Sequence, residues 1–340
     1  MLDHHNRTLR LLTCCLALFL FSPAIADKKA DDDSDRVDEL HGEWSEWVLK
    51  TANQVDGFFS NTQASEADQQ TRLRAFLRVR YDGNEGTKFS PGIRARISLP
   101  NTENRLKLIL GDDEDEGRIN DLDDNQQNIS LQVRGKRETA LKQIRFDIGI
   151  RRRDSRYQPY VRARHSKAFT TDGPWVPRLT NSFYYFTKSK FEYRGQADFD
   201  RVIGEYLFFR PTTVVRWYEN NSSECNDGWC LDQYFSLYEK LRRSKSEAIA
   251  YDLEIYLRDK PEFDVFDAVL KARYRRMTKK KWLFWEVEPG VHFPSEYGHD
   301  ATFRFTVRLE GIFGYNTTVD INENFMPVKA PWEENTQSAD

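Results

Sequence analysis

Strict alternation beginning at residue 72 is the feature that most limits what this chain can fold into. Leu73, Ala75, Leu77, Val79 and Tyr81 share one face of an extended segment, while Arg72, Arg74, Phe76, Arg78 and Arg80 share the other. A period of two belongs to a strand, not to a helix with its period of about 3.6. If the apolar face meets hydrocarbon, a one-residue slip would place four arginines there at roughly 2 to 4 kcal/mol each near the bilayer midplane. Lipid would then fix the register.

The pattern recurs along the chain. Ile93, Ala95, Ile97 and Leu99 oppose Arg94, Arg96 and Ser98, and Leu106, Leu108 and Leu110 follow a turn. Ile129–Val133, Ile144–Arg151, Phe183–Arg194, Ile249–Arg258 and Phe266–Arg275 alternate in the same way. The last two segments are the most regular: Leu283, Trp285, Val287, Val291 and Phe293 face away from Glu286, Glu288 and His292, and Phe303, Phe305, Val307, Leu309 and Phe313 face away from Arg304, Thr306, Arg308 and Glu310. Less regular stretches at 157–165, 203–219 and 231–240 bring the candidates to thirteen. A barrel with both ends on one side of a membrane needs an even number, and 157–165, with Pro159 and His165, is the weakest of them. At roughly 20 residues per strand and connection, the span 72–313 accommodates about twelve strands.

The start of the chain reads as an export signal. Arg7 and Arg10 precede the apolar run Leu11 to Phe21, and Ala24, Ile25 and Ala26 supply a small-x-small cleavage pattern, so the mature protein is expected to begin at Asp27. A lipidated Cys14 is the rival reading, disfavoured by Thr13 before it. Removing residues 1–26 takes away Asp3, Arg7 and Arg10 and moves the formal net charge from -3 to -4, which argues against a nucleic-acid partner. The mature chain keeps Cys225 and Cys230, spaced to close a short loop as a disulfide in an oxidising compartment; two free thiols are the alternative. No metal or cofactor site is expected.

No mature segment reaches the ~18 consecutive apolar residues of a membrane helix. A mean hydropathy of -0.75 would suggest a soluble protein, but a polar lumen and polar loops dilute a lipid-facing stripe that occupies every second residue. The acidic stretch 27–42 reads as disordered. Within 43–60, Trp44, Trp47, Val48, Ala52, Val55, Phe58 and Phe59 fall at helical spacings and predict a short amphipathic helix, either packing locally or plugging a barrel mouth.

These features together resemble a bacterial outer-membrane β-barrel protein: a cleaved signal, serial alternating strands, aromatic residues at strand ends, and short turns alternating with longer loops. The resemblance is to an architectural class. It implies an all-β, antiparallel transmembrane barrel over 72–315, here of about twelve strands, with the short N-terminal helix before it and a tail over 316–340. It also implies the outer membrane of a Gram-negative bacterium, contact with its lipids and lipopolysaccharide, and handling by periplasmic chaperones and the barrel-insertion machinery. Such proteins usually end on an aromatic residue, whereas twenty-five residues follow Tyr315 here, so an internal insertion signal is expected.

The predicted lumen carries Arg72, Arg74, Arg78, Arg80, Arg94, Arg96, Lys188, Lys190, Arg273, Arg304 and Arg308 on the basic side, with Asp252, Glu254, Asp267, Glu286, Glu288 and Glu310 as the acids. Basic residues concentrate in early strands and acidic ones in late strands. Two readings stay open: a narrow channel for small anionic solutes, or a salt-bridged, non-conducting barrel with a structural or lipid-interacting role. An outer-membrane esterase is disfavoured, because His165 and Ser166 are adjacent and would point to opposite faces of a strand. The acidic loop 112–123 has oxygens at several calcium-loop positions, but its flanks read as strands, so a solvated loop is the expectation. A periplasmic β-sandwich is the competing fold, but it does not account for ranks of arginine opposite aromatic faces.

Overall fold

The computed structural model describes residues 48–49, 51–52, 55, 58–59, 72–99, 106–111, 128–134, 144–153, 156–169, 171, 173–204, 206–220, 228–241, 246–259, 263–280 and 282–314. The export signal, the acidic segment 27–42, the loop 112–123 and the tail 316–340 lie outside the described residues.

Fourteen antiparallel strands form one closed barrel in which each strand pairs with its neighbours in sequence. They are β1 (Arg72–Asp82), β2 (Gly86–Ser98), β3 (Leu106–Leu110), β4 (Asn128–Arg134), β5 (Ile144–Arg153), β6 (Arg156–Ala168) and β7 (Val176–Phe186), followed by β8 (Lys190–Ile203), β9 (Leu207–Tyr218), β10 (Trp229–Lys240), β11 (Glu247–Arg258), β12 (Asp264–Met277), β13 (Leu283–His292) and β14 (Thr302–Gly314). β1 and β14 close the ring in one unbroken register from Arg72↔Gly314 to Asp82↔Arg304. Closure gives every described strand two neighbours, although β2 meets β3 only over Ala95–Ser98, because β3 is short.

The count is fourteen rather than about twelve. One of the thirteen sequence candidates, Phe183–Arg194, is really the end of β7 and the start of β8, joined by the turn at 187–189. Phe186 pairs with Lys190 and Tyr185 with Phe191, so paired residues differ by an even number and the alternation runs through the turn unbroken. Lys188, predicted to line the lumen, is exposed in that turn. The stretch 157–165 lies within β6, where Pro159 points outward.

Alternation sorts the side chains by face. Leu77, Val79, Ile93, Ile148, Leu253, Leu270, Phe303 and Val307 are exposed on the outer wall, while the residues between them point inward and are buried or half-buried. The inward set is largely charged, the inverse of a water-soluble protein and the arrangement a hydrocarbon solvent selects.

Seven residues of the stretch predicted as a helix are described: Val48, Leu49, Thr51, Ala52, Val55, Phe58 and Phe59. Each has helical backbone, but no continuous helix is defined there, so the element expected over 43–60 is not established. Val48, Ala52, Val55, Phe58 and Phe59 pack in one apolar cluster with Val176, Val202, Phe208, Tyr238, Ala248, Ala250, Phe284 and Ile312. Odd strands begin, and even strands end, at the rim where β1 starts. All eight wall residues lie near that rim, here called the terminal mouth.

Candidate functional site: the charged lumen

Charge is divided around the circumference. Among the described residues, the buried charged side chains of β1–β7 are eight basic and two acidic, and those of β8–β14 are seven basic and ten acidic, His292 aside. One half of the wall is therefore positive and the other negative, and the field of the pair points across the lumen.

Arg74, Arg78 and Arg80 of β1 and Arg96 of β2 are buried inside the barrel, and Arg94 is half-buried beside them. Arg72 begins β1, with its side chain outside what is described. The inward-facing Phe76 stands over Gly92, its register partner on β2. The guanidinium groups of Arg94 and Arg308 lie 5.0 and 5.9 Å from its ring centre, so one aromatic side chain spaces two cations from neighbouring strands.

The acidic half is knitted to arginines across strands. Arg273 donates to Asp252 at 2.7 Å, and Arg275 reaches both Glu286 at 3.3 Å and Glu310. Lys271 lies between Glu254 at 3.3 Å and Glu288 at 3.7 Å, and Arg308 approaches Glu286 at 3.6 Å. Arg216 and Arg258 share Asp232, and Arg162 holds Asp147, which also accepts from Gln132. Away from the terminal mouth, Asp82 takes Arg304 at 2.9 Å and the imidazole of His292 at 3.1 Å, and the other ring nitrogen of His292 faces Asp267 at 3.2 Å. A buried charge is tolerable only when its partners replace water. The predicted lumen residues Glu286, Glu288, Arg304, Arg308 and Glu310 all belong to this network. Alternation could not reveal Asp252, Asp232 or Arg275 as ion-pair centres, because pairing depends on register across strands.

Where the halves meet, a small cavity of about 10 Å³, close to the room one water needs, is lined by Arg78, Arg80, Lys271, Arg304, Glu254, Glu288, Tyr256, Val269 and Thr306. Four cations face two carboxylates there.

Ser166 bonds the inward Thr180 at 2.9 Å, whereas the adjacent His165 takes the opposite parity on β6. Cys230 is disulfide-bonded; Cys225, its expected partner, lies outside the described residues. No group of three or more metal-ligating side chains occurs among the described residues.

The fold and site define a fourteen-stranded antiparallel β-barrel with an apolar outer wall and an ionic lumen. No family model matches the chain, and no curated protein does. Solved structures similar to it include a loop-deletion variant of OmpT, an outer membrane protein of Vibrio cholerae (8% identity, TM-score 0.43, covering 72% of this chain and 98% of that one). The outer membrane channel DcaP of Acinetobacter baumannii gives 10% identity and a TM-score of 0.42, covering 72% and 97%. OprB of Pseudomonas putida gives 8% and 0.44, covering 72% and 93%.

Proposed function

We propose that this chain is an outer-membrane β-barrel whose lumen is a narrow pathway for small anionic solutes. The observation that carries the reading is the cavity between the wall halves, where Arg78, Arg80, Lys271 and Arg304 outnumber Glu254 and Glu288. Like-signed side chains at close quarters raise the local concentration of counter-ions, and the transverse field orients whatever enters. The exposed apolar belt supports contact of the wall with outer-membrane lipid. The expected partners are therefore those lipids, lipopolysaccharide, the periplasmic chaperones and the insertion machinery.

A second reading is a barrel that conducts little. It is favoured by one observation, the ion-pair network centred on Asp252, Glu286 and Asp232, which pairs lumen charges across neighbouring strands.

Membrane fractionation with heat-modifiable migration on a denaturing gel tests the barrel, and recovery in the soluble periplasm would remove it. Planar-bilayer recording of folded protein then separates the two readings. Small anion-selective currents support the pathway, and a silent bilayer supports the second reading.

A further inference from the structure

Phe58 and Phe59 are fully buried although they precede the first strand of the sheet. Their rings meet edge-on at 5.1 Å. Phe58 stands 6.0 Å from Phe284, and Phe59 stands 5.1 Å from Tyr238. The seat below them is apolar where the lumen beyond is ionic: Ala250 lies between Tyr238 and Arg273 in strand register, directly in the path of Phe59. Two lumen cations close the contact, with Arg273 5.4 Å from the Phe59 ring and Arg275 6.0 Å from the Phe58 ring.

Three properties make this contact separable from the barrel. The ring closes between β1 and β14 without it, so losing it breaks no bond of the strand ladder. Arg273 keeps Asp252, and Arg275 keeps Glu286 and Glu310, when the rings are gone, so the wall stays electrically compensated. The rings hold the guanidinium groups only by cation–π attraction and apolar contact, which are weaker and less directional than the ion pairs beneath.

We propose that Phe58 and Phe59 form a removable stopper in the terminal mouth, and that their departure uncovers Arg273 and Arg275 to anions entering the lumen. The stopper rests on the anion-pathway reading for its purpose, but its seating is testable separately. In the closed state the rings occupy the faces of the same guanidinium groups that an anion would meet first. Any ligand that binds only the open state shifts the equilibrium toward it.

The test uses the full chain in proteoliposomes carrying Ala250→Cys, with labelling by a membrane-impermeant maleimide. The rate is compared with and without Phe58→Ala/Phe59→Ala, after heat-modifiable migration has confirmed folding. Labelling is expected to be slow behind the intact rings and roughly a hundredfold faster without them, since truncating even one buried phenylalanine shifts an opening equilibrium by about that factor. Equal rates would overturn the stopper. If the double variant does not migrate as folded, Phe59→Leu removes the ring and its Arg273 contact while keeping apolar volume, and carries the same comparison. Bilayer conductance is read on the same samples. Faster labelling with raised anion current supports the whole proposal, whereas faster labelling in a silent bilayer keeps the stopper and overturns the pathway it was to close.

Discussion

The guanidinium of Arg275 on β12 reaches past the intervening strand β13 to the carboxylate of Glu310 on β14, 2.5 Å away, while also holding Glu286 on β13. One cation thus ties three consecutive strands from inside the barrel. Removing it takes this cation from the buried Glu310 and leaves Glu286 to Arg308 at 3.6 Å, at a cost of about 3 to 5 kcal/mol. Arg275→Met is expected to lower the urea midpoint of the membrane-inserted barrel by far more than Glu310→Gln, which leaves Arg275 its Glu286 partner. The check is urea unfolding followed by the shift in gel migration, and equal midpoints would contradict the three-strand tie.

The outer wall makes a prediction of opposite sense. Val307 and Leu253 are 40% and 39% exposed on the apolar face, next to the inward Arg308 and Glu254. Val307→Arg or Leu253→Arg is expected to cost roughly 2 to 4 kcal/mol where the strand crosses the midplane. The folded fraction recovered in membranes should fall sharply for these variants and little for Arg308→Lys or Glu254→Asp. Similar losses in both sets would mean that the faces are assigned the wrong way round.

Selectivity should follow the basic half of the lumen. Neutralising Arg74, Arg78 and Arg80 together as glutamines removes three cations from the β1 wall facing the acidic strands. In a bilayer the reversal potential is expected to move toward cations, with single-channel conductance falling for anions. An unchanged reversal potential in folded protein would detach these arginines from the conduction path.

The close approach of Phe76 and Gly92 gives a coupling prediction. A Cβ on Gly92 would come within 2.2 Å of the Phe76 ring, forcing it from its place between Arg94 and Arg308. Gly92→Ala should therefore destabilise by about 1 to 3 kcal/mol, the usual cost of overpacking. Phe76→Ala should relieve most of it, so the double variant would be more stable than the two single losses predict in sum, as a double-mutant cycle by urea unfolding can show.

Faces and strand class were legible because the solvent on each side imposes its own chemistry: Val79 and Arg80, adjacent in sequence, cannot exchange places without placing a charge in hydrocarbon. Strand number was harder to read, because the three-residue turn after Phe186 preserves parity and leaves no mark in the alternation. The basic first half and acidic second half of the lumen were visible as composition, whereas the partners of Arg275 and Asp232 needed the register. The apolar seat left a faint signal. Val176, Val202, Phe208, Ala248 and Ile312 are inward residues that break an otherwise polar face, and they fall at one mouth only once successive strands are run in opposite directions.

The seam between β1 and β14 turns topology into proofreading. The first strand synthesised finds its second partner only in the last, and the register from Arg72↔Gly314 to Asp82↔Arg304 covers the whole of β1. A translation product that stops before Thr302 can pair every internal hairpin and still leave two bare ladders of backbone donors and acceptors. Hydrocarbon offers those groups nothing. Such a fragment would be held short of stable insertion and left accessible to proteases, so completeness of the polypeptide is inspected by the geometry of the sheet itself.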